Sequence, residues 1–197
     1  MLILASQSPT RRRMLASAGV PHKAVSPAVD EEKAKAKLRS DGYGASDLAL
    51  ALALAKALSI SAKRPDALVL GADQTLECDD GSIIDKAPDR AALIKQLGRL
   101  SGKTHQLHAA AVLARKGAIV WKQTETVRLT MRPLSKAFIL DYVEGEGDGL
   151  LGCVGGYRIE GRGSQLFSAI EGGQFAIMGL PLLPLLDRLR KEGVLPT

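Results

Sequence analysis

The stretch Leu68-Val69-Leu70-Gly71-Ala72-Asp73-Gln74-Thr75 decides how the chain reads. Three branched apolar residues in a row predict a strand buried on both faces. Gly71 and Ala72 carry little or no side chain, and Asp73 follows where the strand is expected to end. A carboxylate at the end of a buried strand, beside residues small enough to admit a ligand, suits metal-assisted or general-base chemistry. By itself the stretch equally fits an ordinary strand-end Asp turning into a loop. The rest of the chain decides, because it supplies a second acid and several cations at other strand and helix ends.

Back at the N-terminus, residues 2–5 predict a short strand and Ser6-Gln7-Ser8-Pro9 the turn leaving it. Ser8 as N-cap with Pro9 in the first helical position signals a helix start. Met14, Leu15 and Ala18 share one face of that helix and Gly19 ends it. Arg11, Arg12 and Arg13 fall in its first turns, where cations oppose the helix dipole. An anion held there by backbone N–H groups and serine hydroxyls would offset that cost, which favours an anion site over a capped helix with solvated arginines. Residues 20–28 predict a second strand, giving way at Val29-Asp30-Glu31-Glu32 to a polar, Lys-rich segment that reaches Gly44. Ser46-Asp47 is expected to cap a Leu- and Ala-rich helix to Ile60, composition and length outweighing the alternation of Leu48, Leu50, Leu52 and Leu54. Lys56 is the only charge in the second half of that helix. It either snorkels to water or points into a polar cleft, and the sequence leaves the two even.

Downstream of Asp73, Cys78-Asp79-Asp80-Gly81 signals a hairpin turn with Ile83-Ile84 returning. Asp89 caps a helix carrying Leu93, Leu97 and Leu100. A long hairpin spans about Thr104 to Arg132 around Arg115-Lys116-Gly117, with Trp121 packing in its second arm. His105 and His108 have no i, i+4 partner and no HExxH context, so no zinc site is expected. Ser135 caps a helix to about Glu144. Eight glycines then crowd residues 145–163, with Tyr157 and Glu160 among them; a mobile loop over a ligand and a strand with bulges both fit. Residues 166–170 and 175–178 predict short strands. Pro181 opens a last helix with Leu182, Leu185, Leu186 and Leu189 on its buried side and Gly193 at its end. Strands mixed with helices and hairpins, with no repeat and no linker, predict one mixed-sheet α/β unit over residues 1–197.

Composition narrows the class. The 197 residues suffice for one sizeable core or two lobes sharing a cleft. With 46% hydrophobic and 24% charged residues the chain is an ordinary globular one, and with only 4% aromatic its core must rest on Leu, Ala, Val and Ile. A net charge of +6 and a pI near 9.4 favour anionic partners, polymeric or small. Cys78 and Cys153 are too few for a metal knuckle or disulfide framework and read as free thiols in a reducing compartment. The apolar start, Met1 to Ala5, is too short for a signal peptide or membrane span, so the cytoplasm is the expected setting. The chain lacks GxxxxGK followed by Ser or Thr, which sets a P-loop aside.

Taken in order, Ser6-x-Ser8-Pro9-x-Arg11, Asp30-Glu31, Ala55-Lys56-Ala57, Gly71-Ala72-Asp73, Lys86, Leu100-Ser101-Gly102-Lys103-Thr104-His105, Gly156-Tyr157-x-x-Glu160-Gly161 and Gly179-Leu180-Pro181 resemble the Maf family over nearly the whole chain. The resemblance implies a mixed-sheet fold related to that of the inosine-triphosphate pyrophosphatases, with two lobes around a central cleft. It also implies a cytoplasmic house-cleaning pyrophosphatase that uses a divalent cation, Mg or Mn, to release pyrophosphate and a nucleoside monophosphate. Carried over by position, Asp73 is the catalytic acid, Glu31 and Asp73 are metal ligands, and Ser6, Ser8, Arg11, Lys56 and Lys86 form the phosphate-binding set. On this reading Arg11 grips phosphate bidentately while Lys56 and Lys86 act as point charges. Two departures stand out: Lys86-Ala87-Pro88 where the family commonly has Lys-Pro, and Thr10 where it commonly has Arg. Of the three positions that sort the family by base, Thr10 fits neither branch, while Gln74 and Glu160 resemble the 7-methyl-GTP pyrophosphatases rather than those for dTTP and UTP, so the resemblance implies a guanine-type substrate, with 7-methyl-GTP favoured.

The implied partner is a nucleoside triphosphate, with no nucleic acid and no membrane; a homodimer is left open. The alternative, since the family is also associated with inhibition of septum formation, is a basic binding protein acting on division through a partner. That reading accounts for the pI but not for paired acids at strand ends, and the aromatic-basic interleaving of single-strand binders is missing.

Overall fold

The computed structural model describes residues 1–196. Its strands are β1 (Leu2–Ala5), β2 (His22–Val25), β3 (Leu68–Cys78), β4 (Ile83–Ile84), β5 (Thr104–Arg115), β6 (Ala118–Met131) and β7 (Phe167–Glu171). They form one seven-stranded sheet in the order β2-β1-β3-β5-β6-β7, with β4 paired to the far part of β3. β1 runs parallel to both β2 and β3, and every other pairing is antiparallel. The expected mixed-sheet α/β class is therefore what the chain adopts.

β3 corrects one expectation. It does not end at Asp73 but runs eleven residues to Cys78, because β5 opposes it without a break from Leu68↔Arg115 to Cys78↔His105. What ends is its neighbour, since β1 pairs with β3 only as far as Ala5↔Gly71. Between Gly71 and Leu76, where β4 takes over the pairing, that edge of β3 lies open, and Asp73 stands in the opening. Crevices past the carboxyl ends of parallel strands are where α/β proteins bind ligands.

Alternation along β3 sends its side chains to two layers. Val69, Gly71, Asp73 and Thr75 face helix α3 (Ala45–Ser61). A Cβ at Gly71 would run into the Ala53 carbonyl and into Ala57, so glycine lets α3 settle directly on the strand. Ala49, Ala53 and Ala57 then pack on Ala110, Val112 and Ala114. The opposite layer holds two apolar cores. One gathers Leu70 and Ala72 with β1, α1 (Pro9–Ser17) and α7 (Leu182–Lys191); the other gathers Leu76 and Cys78 with α4 (Arg90–Leu100) and α5 (Lys136–Glu146). Gln74 falls between them, so the two lobes are two cores on one sheet face with a gap at that residue.

The caps at Ser8, Asp89 and Ser135 form as expected, each side chain accepting from the backbone N–H three residues on. Lys116 and Gly117, both at positive φ, turn the long hairpin. Four segments differ. The Lys-rich stretch is helix α2 (Glu31–Ser40), capped by Asp30, with acids in its first turn and Lys37 and Arg39 in its last; none of its residues is buried, so no apolar period announced it. α3 starts at Ala45, with Ser46 inside its first turn, and the Thr75 hydroxyl pins that start by donating to the Ala45 carbonyl at 2.7 Å. Residues 175–177 belong to the short helix α6 (Gln174–Ile177), with Met178 as its C-cap, rather than to a strand. Gly172 at positive φ separates α6 from β7, and Gln74 Nε2 donates to the carbonyls of Ala176 at 2.7 Å and Ile177 at 3.0 Å. The glycine-rich segment folds into 3-10 turns at Gly147–Gly152 and Arg162–Leu166, not a bulged strand. Among the described residues no helix is long and apolar enough to cross a membrane.

Candidate active site

A cavity of about 520 Å³ opens where β1 stops beside β3, and all ten residues singled out from the sequence line it: Ser6, Ser8, Thr10, Arg11, Glu31, Lys56, Asp73, Gln74, Lys86 and Glu160. They come from separate helices, strands and loops, so only the tertiary fold brings them together.

At one end α3 delivers Lys56. Its ammonium lies 2.6 Å from Asp73 Oδ1 and 2.9 Å from Glu31 Oε2, with the lysine and Asp73 both buried. The choice left open by the sequence thus falls to the cleft. Burying a lone ammonium is costly, and two carboxylates offset that cost. Burial pushes the Glu31 carboxyl up, but the hydrogen bond and charge of Lys56, with Lys35 and Lys86 behind it, outweigh this and hold it below its ordinary value. Lys86 is exposed at the rim; desolvation by the surrounding walls and the Arg11 charge lower its pKa, against the pull of Glu31 and Asp73. A second hollow of about 660 Å³ continues past Glu31, Lys56 and Lys86 toward Lys35 and Asp85.

Arg11 corrects a second expectation. Its guanidinium is buried, with Nε donating to the Gly179 carbonyl at 2.9 Å and Nη1 to the Ala72 carbonyl at 3.0 Å. The Nε side of its fork is therefore occupied, and Arg11 braces α1 against β3 and the loop before α7 instead of offering a free bidentate grip. Burial lowers its pKa against the opposing charges of Asp73 and Glu31. The Ser6 hydroxyl accepts from the Ser8 N–H at 3.2 Å, and the Ser8 hydroxyl from the Arg11 N–H at 3.3 Å. Each hydroxyl proton stays free to donate to an anion at the helix N-terminus.

Beyond this cluster, the cavity wall also includes Thr10, Gln74, Leu107, Tyr157, Ile177 and Glu160. Tyr157 is buried, its hydroxyl 2.7 Å from His105 Nε2 and its ring edge-on to Phe167 at 4.8 Å. Desolvation holds His105 neutral, its pKa pushed down to about 4. Sequence reasoning missed two arginines here. Arg158 lies against Gly149, where a Cβ would collide with its guanidinium, so this glycine clears space for a cavity-lining cation. Arg13 lines the same cavity, its guanidinium 3.9 Å from Glu160 Oε1. It lies three residues from Thr10 on one helix face, a spacing that would have identified it; Arg158 had no such signal.

Residues 1–192 match the family model described as Maf-like protein. A nucleoside triphosphate pyrophosphatase from Rhodospirillum rubrum is 47% identical over 194 residues, covering 98% of this chain and 96% of that one. A 7-methyl-GTP pyrophosphatase from Brucella abortus biovar 1 is 46% identical over 191 residues, 97% of this chain and 96% of that one. Among solved structures, a HAM1 protein from Coxiella burnetii overlaps 66% of this chain and 72% of its own, at 15% identity and a TM-score of 0.46.

Proposed function

This chain belongs to the Maf family of nucleoside triphosphate pyrophosphatases, and on that premise we propose that its cleft hydrolyses guanine-type nucleoside triphosphates, 7-methyl-GTP among them, to the monophosphate and pyrophosphate. The observation that carries this reading is the buried Asp73–Lys56–Glu31 cluster beside the N-terminus of α1, at one end of a cavity whose other end can hold a base.

Asp73 and Glu31 offer oxygen donors only, which suits a hard divalent cation of the Mg or Mn class. Among the described residues no group of three or more acidic, His or Cys side chains could hold a metal. Such a cation would therefore complete its shell with water and phosphate, as Mg²⁺ usually does. Once bound, it supplies charge neutralisation along the triphosphate.

The chain's own residues do the rest. The Ser6 and Ser8 hydroxyls, the Thr10 N–H in the first turn of α1 and the Lys86 ammonium bind phosphate oxygens, Pro9 having no N–H and that of Arg11 being held by the Ser8 hydroxyl, and the second hollow gives the terminal phosphates room. Lys56 fixes Asp73 through one carboxylate oxygen and leaves the other to take a proton from water. That water attacks the α-phosphorus, the bond to the bridging oxygen breaks, and pyrophosphate leaves; the catalysis is largely positioning and electrostatics. At the base end the ionised Glu160 only accepts hydrogen bonds, matching the adjacent N1–H and 2-amino donors of guanine. A uracil or thymine edge puts an acceptor beside its donor and repels the carboxylate. Thr10 provides no ring to stack on. The setting we assign is the cytoplasm, with the whole chain as one catalytic unit.

Incubation with GTP, 7-methyl-GTP, UTP and dTTP, with Mg²⁺ or Mn²⁺, tests this by quantifying monophosphate and pyrophosphate together. Equimolar amounts from the guanine nucleotides are expected. Orthophosphate as the product, or a tenfold preference for the pyrimidines, refutes it.

A further inference from the structure

The Arg13–Glu160 pair bears on which guanine the cleft prefers, a question that rests on the proposed contact of Glu160 with the base. Arg13 projects from the same face of α1 as Thr10, lines the cavity, and keeps its guanidinium 3.9 Å from the Glu160 carboxylate with two-thirds of its side chain exposed (66%). An arginine stays protonated at every working pH. The carboxylate that reads the base is thus accompanied by a permanent positive charge. The other acid at this end, Asp148, is matched too, with Arg90 Nε at 2.6 Å. Arg158 adds a further cation to the same wall. Among the described residues, no carboxylate lining this end is left without a cation to offset it and so to attract a positively charged base.

We propose that Arg13 is a specificity-determining residue that turns this cleft toward neutral guanine and against its N7-methylated cation, making GTP a better substrate than 7-methyl-GTP. Two physical effects act in the same direction. Arg13 offsets part of the Glu160 charge, and with it the attraction a cationic ring would otherwise gain. Its planar guanidinium can also stack on a neutral purine face, a role Thr10 cannot fill, while against a methylated, positively charged ring the same approach becomes like-charge repulsion. Glu160 keeps its two acceptor oxygens throughout, so guanine-type recognition survives while the tolerance for methylation changes.

The test compares kcat/KM for GTP and 7-methyl-GTP in the wild type, Arg13→Ala and Arg12→Ala, at mildly acidic pH where the methylated ring keeps its N1 proton and its full charge. Arg12 is exposed and does not line the cavity, so its variant reads the general effect of removing a charge from α1. The wild type should prefer GTP. Arg13→Ala should raise the 7-methyl-GTP to GTP ratio about three- to tenfold, as expected of one partly screened charge, and Arg12→Ala should leave it unchanged. Titration of GMP and 7-methyl-GMP binding gives the same comparison without turnover. An unchanged ratio in Arg13→Ala, or an equal shift in Arg12→Ala, overturns the proposal while leaving triphosphate hydrolysis standing. If no triphosphate is turned over but monophosphate binding shifts as described, the proposed chemistry fails and the role of Arg13 stands.

Discussion

Asp73 and Lys56 sit mid-strand and mid-helix at one end of the cleft, both nearly sealed from solvent, whereas at the other end Glu160 and Arg13 project from a glycine-rich turn and an exposed helix face. The first pair is positioned by packing: Gly71 lets α3 touch β3, the alanine layer fixes the approach, and the ammonium has two carboxylates within 2.9 Å. The second pair spans 3.9 Å between two segments that share no core position. An interaction set by the core tolerates little change, while one between exposed side chains is worth little and is easily revised. Rate should therefore depend on the buried end and base preference on the exposed end.

The largest expected effect is at the buried end. Asp73→Asn keeps the shape but removes charge and basicity, so pyrophosphate release should slow about a hundredfold or more. Lys56 keeps Glu31 as a partner, so the variant should still fold, which a melting curve checks. Activity within a fewfold of the wild type would break the assignment of chemistry to this end.

An intermediate effect is expected beneath the base end, where His105 holds Tyr157. His105 is neutral when folded, its pKa lowered from 6.5 to about 4 by desolvation. Its contribution to stability is complete above the unfolded value and is lost as pH falls toward the folded one, because the unfolded chain takes up the proton first. Between about pH 7 and about pH 5 this amounts to roughly 2 kcal/mol of lost stability. Urea melts at the two pH values should show the loss in the wild type and a much smaller one in His105→Asn. Equal losses in both would assign it to other groups and leave the floor of the base end without a titrating support.

The smallest effect separates the two ends most cleanly. Glu160→Gln replaces an acceptor-only carboxylate with a group that both donates and accepts, so the UTP to GTP ratio of kcat/KM should rise about threefold to tenfold. The best turnover number should stay within a fewfold of the wild type. A collapse in turnover with every nucleotide would show that the exposed end takes part in rate.

The same division accounts for what could be seen in the sequence. β1, α1 with its serine cap and proline, the two hairpins and the Asp89 and Ser135 caps all carry local signals, and they form as expected. The candidate site residues sit in short motifs, and the fold gathers all ten in one cavity. What stayed hidden depends on neighbours distant in the chain. The continuation of β3 past Asp73 is imposed by β5, and the bracing of Arg11 by carbonyls at Ala72 and Gly179. The helical state of residues 174–177 depends on a side chain a hundred residues away, Gln74. α2 was silent for the opposite reason, having no buried face to write a period into the sequence.

The most direct test of chemistry at the buried end is where oxygen enters the products. Turnover of GTP by the wild type in heavy-oxygen water, followed by mass spectrometry of both products, reports which phosphorus the water attacks. Attack on the α-phosphorus from the Asp73 end predicts one heavy oxygen in GMP and none in pyrophosphate. Label in pyrophosphate or orthophosphate would contradict the placement of water and triphosphate around Asp73, Lys56 and Glu31.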